Sequence, residues 1–205
     1  MISSPHDSSL SPEQGWHQPE SIRIAPLDTK NAKLSARGFI WLVNRIGNIE
    51  ASNLFLMLLK NFRLFRVWLA FAAKMMPYGQ IKREDTELVI LRVAWNCRCK
   101  YEWAQHVDIG MRVGLTSETI QRITQGPDVP GWVTREAALL RACDELHANC
   151  MISRTTWQQL EQHFEERLLL EVLMLIGHYE MLAGVLNSSG LPLDDHLQQS
   201  TGTKA

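Results

Sequence analysis

Within twenty residues, from Glu87 to His106, the chain gathers a carboxylate, two thiols, a second carboxylate and an imidazole: Glu87, Cys97, Cys99, Glu102 and His106. Carboxylates and imidazoles move protons near neutral pH when their surroundings tune them, and thiolates attack electrophilic oxygen or sulfur. The segment therefore offers proton transfer or thiol redox chemistry, and spacing decides which groups can meet.

On a helix turning about 100° per residue, Cys99, Glu102 and His106 fall within about 60° of one another and can share a pocket. Glu87 lies on the preceding helix, where a short link makes the two helices neighbours, so its carboxylate can reach His106 and orient or charge the ring. Cys99 falls in the first turn of its helix, where backbone N–H groups and the helix dipole favour a thiolate. Cys97 is two residues earlier, and that spacing in continuous helix points the sulfurs to opposite sides, so pairing needs a loop conformation. Taken singly, each group has a bland reading: a cysteine at an apolar helix start is commonly a small buried hydrophobe, and a helical Glu or His is commonly solvated. Their convergence makes the functional reading stronger. Tyr101 and Trp103, which flank Glu102, are the candidate substrate contacts.

Elsewhere, Cys143, His147 and Cys150 share one helical face, but none of the paired ligand spacings of a zinc site is present, so core packing is the expectation and no metal is assigned. His178 and Tyr179 interrupt an apolar helix and need hydrogen-bond partners if buried, either as structural groups or as a pocket wall. The tryptophans and Met75-Met76 read as core, and no phosphate-cradling glycine loop occurs.

The elements that must position these groups are helices. Residues 1–33 carry four prolines and no period, which suggests a flexible arm. Apolar residues then recur at helical spacing through Phe39–Ile46, Leu54–Leu59 and Phe62–Met76, until Pro77 and Gly79. A helix is expected from Asp85 or Thr86 to about Asn96, another from Tyr101 to Val113 ended by Gly114, and a short one from Thr116 to Gly126. Thr134–Asn149 follows, then a short helix behind a Thr155–Gln158 capping box, then a long apolar helix over Arg167–Asn187. No segment alternates with period two, so the fold class is all-α. The helical domain is expected over 34–194 and a tail over 195–205. Tyr101-Glu102 and Tyr179-Glu180, each ahead of a Gly-Leu, suggest a duplicated helical unit.

Lys and Arg total 21 against 22 Asp and Glu, which leaves no basic surplus for a nucleic acid. The apolar runs Leu54–Leu59, Val67–Ala73 and Leu168–Gly177 stop well short of the ~20 residues of a membrane span. The first residues lack the pattern of a signal peptide, and four cysteines in such a chain are expected as reduced thiols, so a cytoplasmic location is expected.

Glu-Leu-Val-Ile-Leu-Arg-Val-Ala-Trp followed by Tyr-Glu-Trp-Ala-Gln-His resembles the carboxymuconolactone decarboxylase and alkylhydroperoxidase D superfamily. Gly-His-Tyr-Glu-Met-Leu-Ala-Gly-Val-Leu-Asn with Gly-Leu-Pro-Leu-Asp is similar to that family's last helix. The resemblance implies an alkylhydroperoxidase D-like helical bundle, assembly as a dimer, trimer or hexamer, a small-molecule substrate and no cofactor. In its peroxidase branch a Glu, a Cys-x-x-Cys and a His make the site, and Glu87, Cys99 and His106 match them, with Glu102 in place of the second Cys. In its decarboxylase branch the cysteines are absent and a His matching His106 acts. The expectation is a lyase with His106 as proton donor and Glu102 and Glu87 as its partners. The alternatives are a thiol peroxidase using Cys99 with Cys97 and a non-catalytic helical binding protein.

Overall fold

The computed structural model describes residues 10–28, Gly38 and residues 52–200. The helix expected over Phe39–Ile46 lies outside the described residues. In chain order the elements are α1 (Asn53–Leu58), a 3-10 turn (Leu59–Asn61), α2 (Phe62–Met75), α3 (Arg83–Asn96) and α4 (Lys100–Arg112). Then follow α5 (Ser117–Gln125), α6 (Thr134–Asn149), α7 (Arg154–Glu161), α8 (Glu166–Ser189) and α9 (Asp195–Ser200). No strand occurs among the described residues, in keeping with the all-α expectation.

Helix α3 is the axis of the bundle. It packs against α4, α5, α6 and α8, and its residues from Asp85 to Leu91, with Val93 and Ala94, are buried. A helix enclosed on nearly every side carries apolar residues all round instead of on one stripe. It begins at Arg83, two residues earlier than expected, with Glu84 and Asp85 in the first turn, where the helix dipole favours acidic side chains.

Helix α2 stops where the sequence placed its breakers. Proline disfavours helical backbone in the residue before it, and Met76 is accordingly extended at φ −150° and ψ 124°. At Gly79 a Cβ would lie 2.3 Å from the Met75 carbonyl oxygen and 2.7 Å from Glu171 Oε1. That close approach lets Glu171 of α8 accept the Gln80 and Ile81 N–H groups at 2.7 and 3.2 Å. The link is thereby tied to α8.

Gly114 ends α4 at φ 111°, as expected. The cap of α7 differs from the expected Thr155–Gln158 box. Ser153 is the N-cap, its hydroxyl accepting the Thr156 N–H at 3.3 Å. Glu145 explains the earlier start, because its carboxylate takes the Ser153 N–H at 2.6 Å and the Ser153 hydroxyl at 2.9 Å.

Among the described residues α8 is the one helix long and apolar enough to cross a membrane by length and composition, with a mean hydropathy of 1.6. One face of it builds the core, with Leu169, Val172, Leu175, Ile176, Leu182, Ala183 and Leu186 buried, while Leu170, Met174, Met181 and Val185 are exposed. Residues 10–28 run across the α3–α4 link and the end of α8. Trp16 packs against Trp95 and Trp103 at 5.6 and 6.0 Å between ring centroids. The His17 N–H reaches the Arg98 carbonyl at 2.9 Å, and the Arg23 N–H reaches that of Ser189 at 2.8 Å.

Candidate active site

The three-residue link Cys97-Arg98-Cys99 joins α3 to α4, and Arg98 turns it through left-handed backbone at φ 50°. The two helices then pack together and their facing polar groups meet. His106 Nδ1 lies 2.7 Å from Glu87 Oε2. Glu87 Oε1 accepts from Arg83 Nη2 at 2.9 Å. Glu87 is fully buried and His106 nearly so. With Nδ1 donating to the carboxylate, Nε2 is the ring nitrogen left to exchange a proton. The Tyr179 ring from α8 stands edge-on to His106, 5.2 Å between centroids at 88°, and its hydroxyl donates to the Met76 sulfur at 3.4 Å.

Glu102 sits one turn before His106 on α4, buried, and neither carboxylate oxygen has a hydrogen-bond partner among the described residues. Burial pushes its carboxyl well above the ordinary value of 4.5. A carboxyl with no cation and no N–H beside it keeps its proton, because the charged form would lose its hydration for nothing in return. The Tyr179 hydroxyl is also pushed well up, first by burial and then by the Glu87 carboxylate.

Cys99 is the N-cap of α4 and is completely enclosed. The expectation of an activated thiolate at this helix start is corrected: burial pushes the thiol well up. That effect outweighs the Glu102 and Tyr101 backbone N–H groups that approach the sulfur. Cys97 is half-buried, and burial, with the Glu180 carboxylate second, pushes its thiol up to about 12. Both sulfurs are free thiols.

The two expected substrate contacts, Tyr101 and Trp103, are both buried and engaged with other side chains. The Tyr101 hydroxyl donates to Asp194 Oδ2 at 2.9 Å and accepts the Leu54 N–H at 3.2 Å, with Gln105 bonded to the same Asp194. It ties α4 to α1 and to the segment behind α8. Trp103 packs on Trp95 at 5.1 Å and on Trp16. His178 is buried between Trp68, stacked at 5.9 Å, and Phe71, edge-on at 5.5 Å. Its Nδ1 has no partner among the described residues, and burial pushes the ring down to about 4, so it is neutral.

A second cluster was invisible in the sequence. Cys143 is a core residue, its sulfur 3.8 Å from the Val89 carbonyl, and Cys150 is exposed at the left-handed end of α6. His147 turns instead to Cys97, 3.8 Å away, and to Glu180, 3.0 Å away. These groups line an open cleft of about 720 Å³ together with His17, Arg23, Arg98 and Asn187. Arg83, four residues before Glu87, was the one missed site residue with a local signal, the spacing of a helical ion pair.

The resemblance to the carboxymuconolactone decarboxylase and alkylhydroperoxidase D superfamily is borne out. The sequence model of the carboxymuconolactone decarboxylase family matches residues 63–145. No curated protein matches the chain in sequence. Among solved structures, an uncharacterized peroxidase-related protein from a Silicibacter species is similar with a TM-score of 0.74 at 12% identity, over 87% of this chain and 96% of that one. An alkylhydroperoxidase D core protein from Ralstonia eutropha is similar with a TM-score of 0.71 at 17% identity, over 91% of this chain and 100% of that one. The debrominase Bmp8 is similar with a TM-score of 0.71 at 13% identity, over 90% of this chain and 98% of that one. The fold is therefore alkylhydroperoxidase D-like.

Proposed function

We propose that this chain is a cofactor-free lyase that decarboxylates a small, carboxylated, lactone-like substrate by acid–base chemistry at His106. The carrying observation is the buried Glu87–His106 bond of 2.7 Å with the carboxyl of Glu102, unpartnered among the described residues, one turn away. In such a reaction the carbon–carboxylate bond breaks, its electron pair passes into the adjoining conjugated carbonyl, and carbon dioxide leaves. The resulting enolate carbon then takes one proton. His106 Nε2 delivers it, Glu87 holds the ring and balances its charge, and Glu102 donates a hydrogen bond to the enolate oxygen as a neutral acid.

A small, flat substrate fits what is known of a fold relative, since a variant of the debrominase Bmp8 forms a complex with 2,3,4-tribromopyrrole. The peroxidase-related fold relatives support a second reading, a thiol peroxidase using Cys99 with Cys97. Against it stand the thiol of Cys99, which burial pushes well up, and Glu102 at the place of the second cysteine. The four unpaired cysteines support the reducing cytoplasm as the compartment.

The test is carbon dioxide release from a panel of carboxylated lactones, with peroxide consumption run in parallel. Turnover that is lost in His106→Ala is expected; decarboxylation that survives this change removes the assigned role.

A further inference from the structure

We propose that Cys97, His147 and Glu180 form a binding site for one divalent cation of the zinc class, with a coordination position open to the cleft. The three donors come from the end of α3, the last turn of α6 and the middle of α8. Their ligand atoms all lie within 4.8 Å of one another. Cys97 Sγ is 3.8 Å from His147 Nδ1, and Nδ1 is 3.0 Å from Glu180 Oε1. Zinc bonds of about 2.0 to 2.3 Å in tetrahedral geometry space neighbouring donors about 3.3 to 3.8 Å apart, so small side-chain adjustments suffice.

A Cys-His-Glu cluster also suggests a nucleophilic triad, and the geometry decides against one. A triad needs the thiol on one ring nitrogen and the carboxylate on the other. Here the sulfur and the carboxylate oxygen both approach Nδ1, so the ring cannot relay a proton between them. Donors converging on one point is the arrangement a cation needs. A thiolate, an imidazole and a carboxylate select zinc-class ions over calcium or magnesium, which take oxygen ligands in larger number.

The surrounding contacts hold the donors in place. Arg92 clamps Asp144 through two bonds of 2.7 and 2.9 Å, and Asn96 Nδ2 donates to the same carboxylate at 2.8 Å. These bonds fix α3 to α6 within about a turn of Cys97 and His147. Asn187 Nδ2 donates to the Cys97 carbonyl at 2.9 Å, fixing the end of α3 to the helix that carries Glu180. Arg98, the nearest guanidinium in sequence, is engaged with His17 and the Gln14 carbonyl at 2.7 and 3.3 Å. His147 and Glu180 are partly exposed, at 43% and 27% of their side chains, so an ion has a path in. Three protein ligands leave the fourth zinc position to water or to a donor atom arriving through the cleft.

The test titrates the chelator-treated full chain with Co²⁺, then displaces it with Zn²⁺, and reads absorption instead of turnover. One Co²⁺ per chain is expected, with thiolate-to-cobalt absorption in the near ultraviolet and the visible bands of a four-coordinate ion. Cys97→Ser should abolish the thiolate band. His147→Ala and Glu180→Gln should each weaken binding by at least about 10- to 100-fold, the loss that even an outer-shell partner causes. Cys150→Ser, at the exposed thiol, should change nothing. Absence of bound cobalt, a thiolate band that survives Cys97→Ser, or one lost in Cys150→Ser overturns the proposal. Should one variant fail to fold by circular dichroism, the others give the same readout.

Discussion

Glu87 and His106 meet at 2.7 Å across two neighbouring helices, with the carboxylate sealed from water and its second oxygen held by Arg83. A buried carboxylate without partners would carry a large desolvation penalty. With both oxygens engaged it becomes a fixed anion that orients the imidazole. The arrangement leaves one ring nitrogen for chemistry and removes the freedom of the other.

From this arrangement, His106→Ala should lower kcat for decarboxylation by about 10²- to 10⁴-fold, the usual contribution of a positioned acid or base. Glu87→Gln keeps a side chain of the same shape but removes the charge that balances the imidazolium. It should lower kcat with little change in KM. Steady-state carbon dioxide release measures both, and unchanged kcat in Glu87→Gln would remove that residue from the mechanism.

Glu102 ties the site to pH. Its folded pKa is raised above the ordinary 4.5 by burial. Below that value folded and unfolded chains both hold the proton, and the contribution to stability is fully present. As pH rises past 4.5, the unfolded chain releases the proton while the folded chain keeps it. Stability then falls by about 1.4 kcal/mol per pH unit until the folded group itself titrates. Glu102→Gln cannot titrate, so its advantage in Tm over the parent should grow from acid toward neutral pH. Thermal melts across that range test this, and parallel Tm curves for the two proteins would refute the buried neutral acid.

Cysteine labelling separates the two chemical readings. A thiol reagent should modify exposed Cys150 first and half-buried Cys97 slowly. Cys99 and Cys143, both fully enclosed, should react only on unfolding. Cys99→Ser should leave decarboxylation largely intact. Rapid labelling of Cys99, or peroxide consumption that this change abolishes, would favour the thiol peroxidase.

What the sequence made legible was whatever a single helix or one short link determines. The face shared by Cys99, Glu102 and His106 follows from helical period, and the approach of Glu87 from the shortness of the link after Asn96. The reactivity of Cys99 is not legible in the sequence because the dipole and N–H groups are local, whereas the burial that outweighs them is tertiary. The grouping of Cys97 with His147 and Glu180 had no sequence signal. Those residues lie 50 and 33 positions apart and meet only because α3, α6 and α8 dock together. The early start of α7 had the same origin, a carboxylate from α6 holding Ser153.

Tyr101 sits next to the candidate acid in sequence and inside a structural hydrogen-bond network. It precedes Glu102 and was expected to touch substrate, yet its hydroxyl is bonded to Asp194, 93 residues on, and to the Leu54 N–H. Asp194 also accepts the Asn53 N–H at 2.7 Å, so the two side chains together satisfy the start of α1. Tyr101→Phe keeps the ring and deletes the hydroxyl, leaving the Leu54 N–H without its partner and Asp194 Oδ2 with Gln105 alone. Lost hydrogen bonds of this kind cost about 1 to 3 kcal/mol. Chemical denaturation should show that loss while kcat and KM stay close to the parent values. A raised KM with unchanged stability would return Tyr101 to the substrate, and it would mean that the pocket reaches past His106 toward α1.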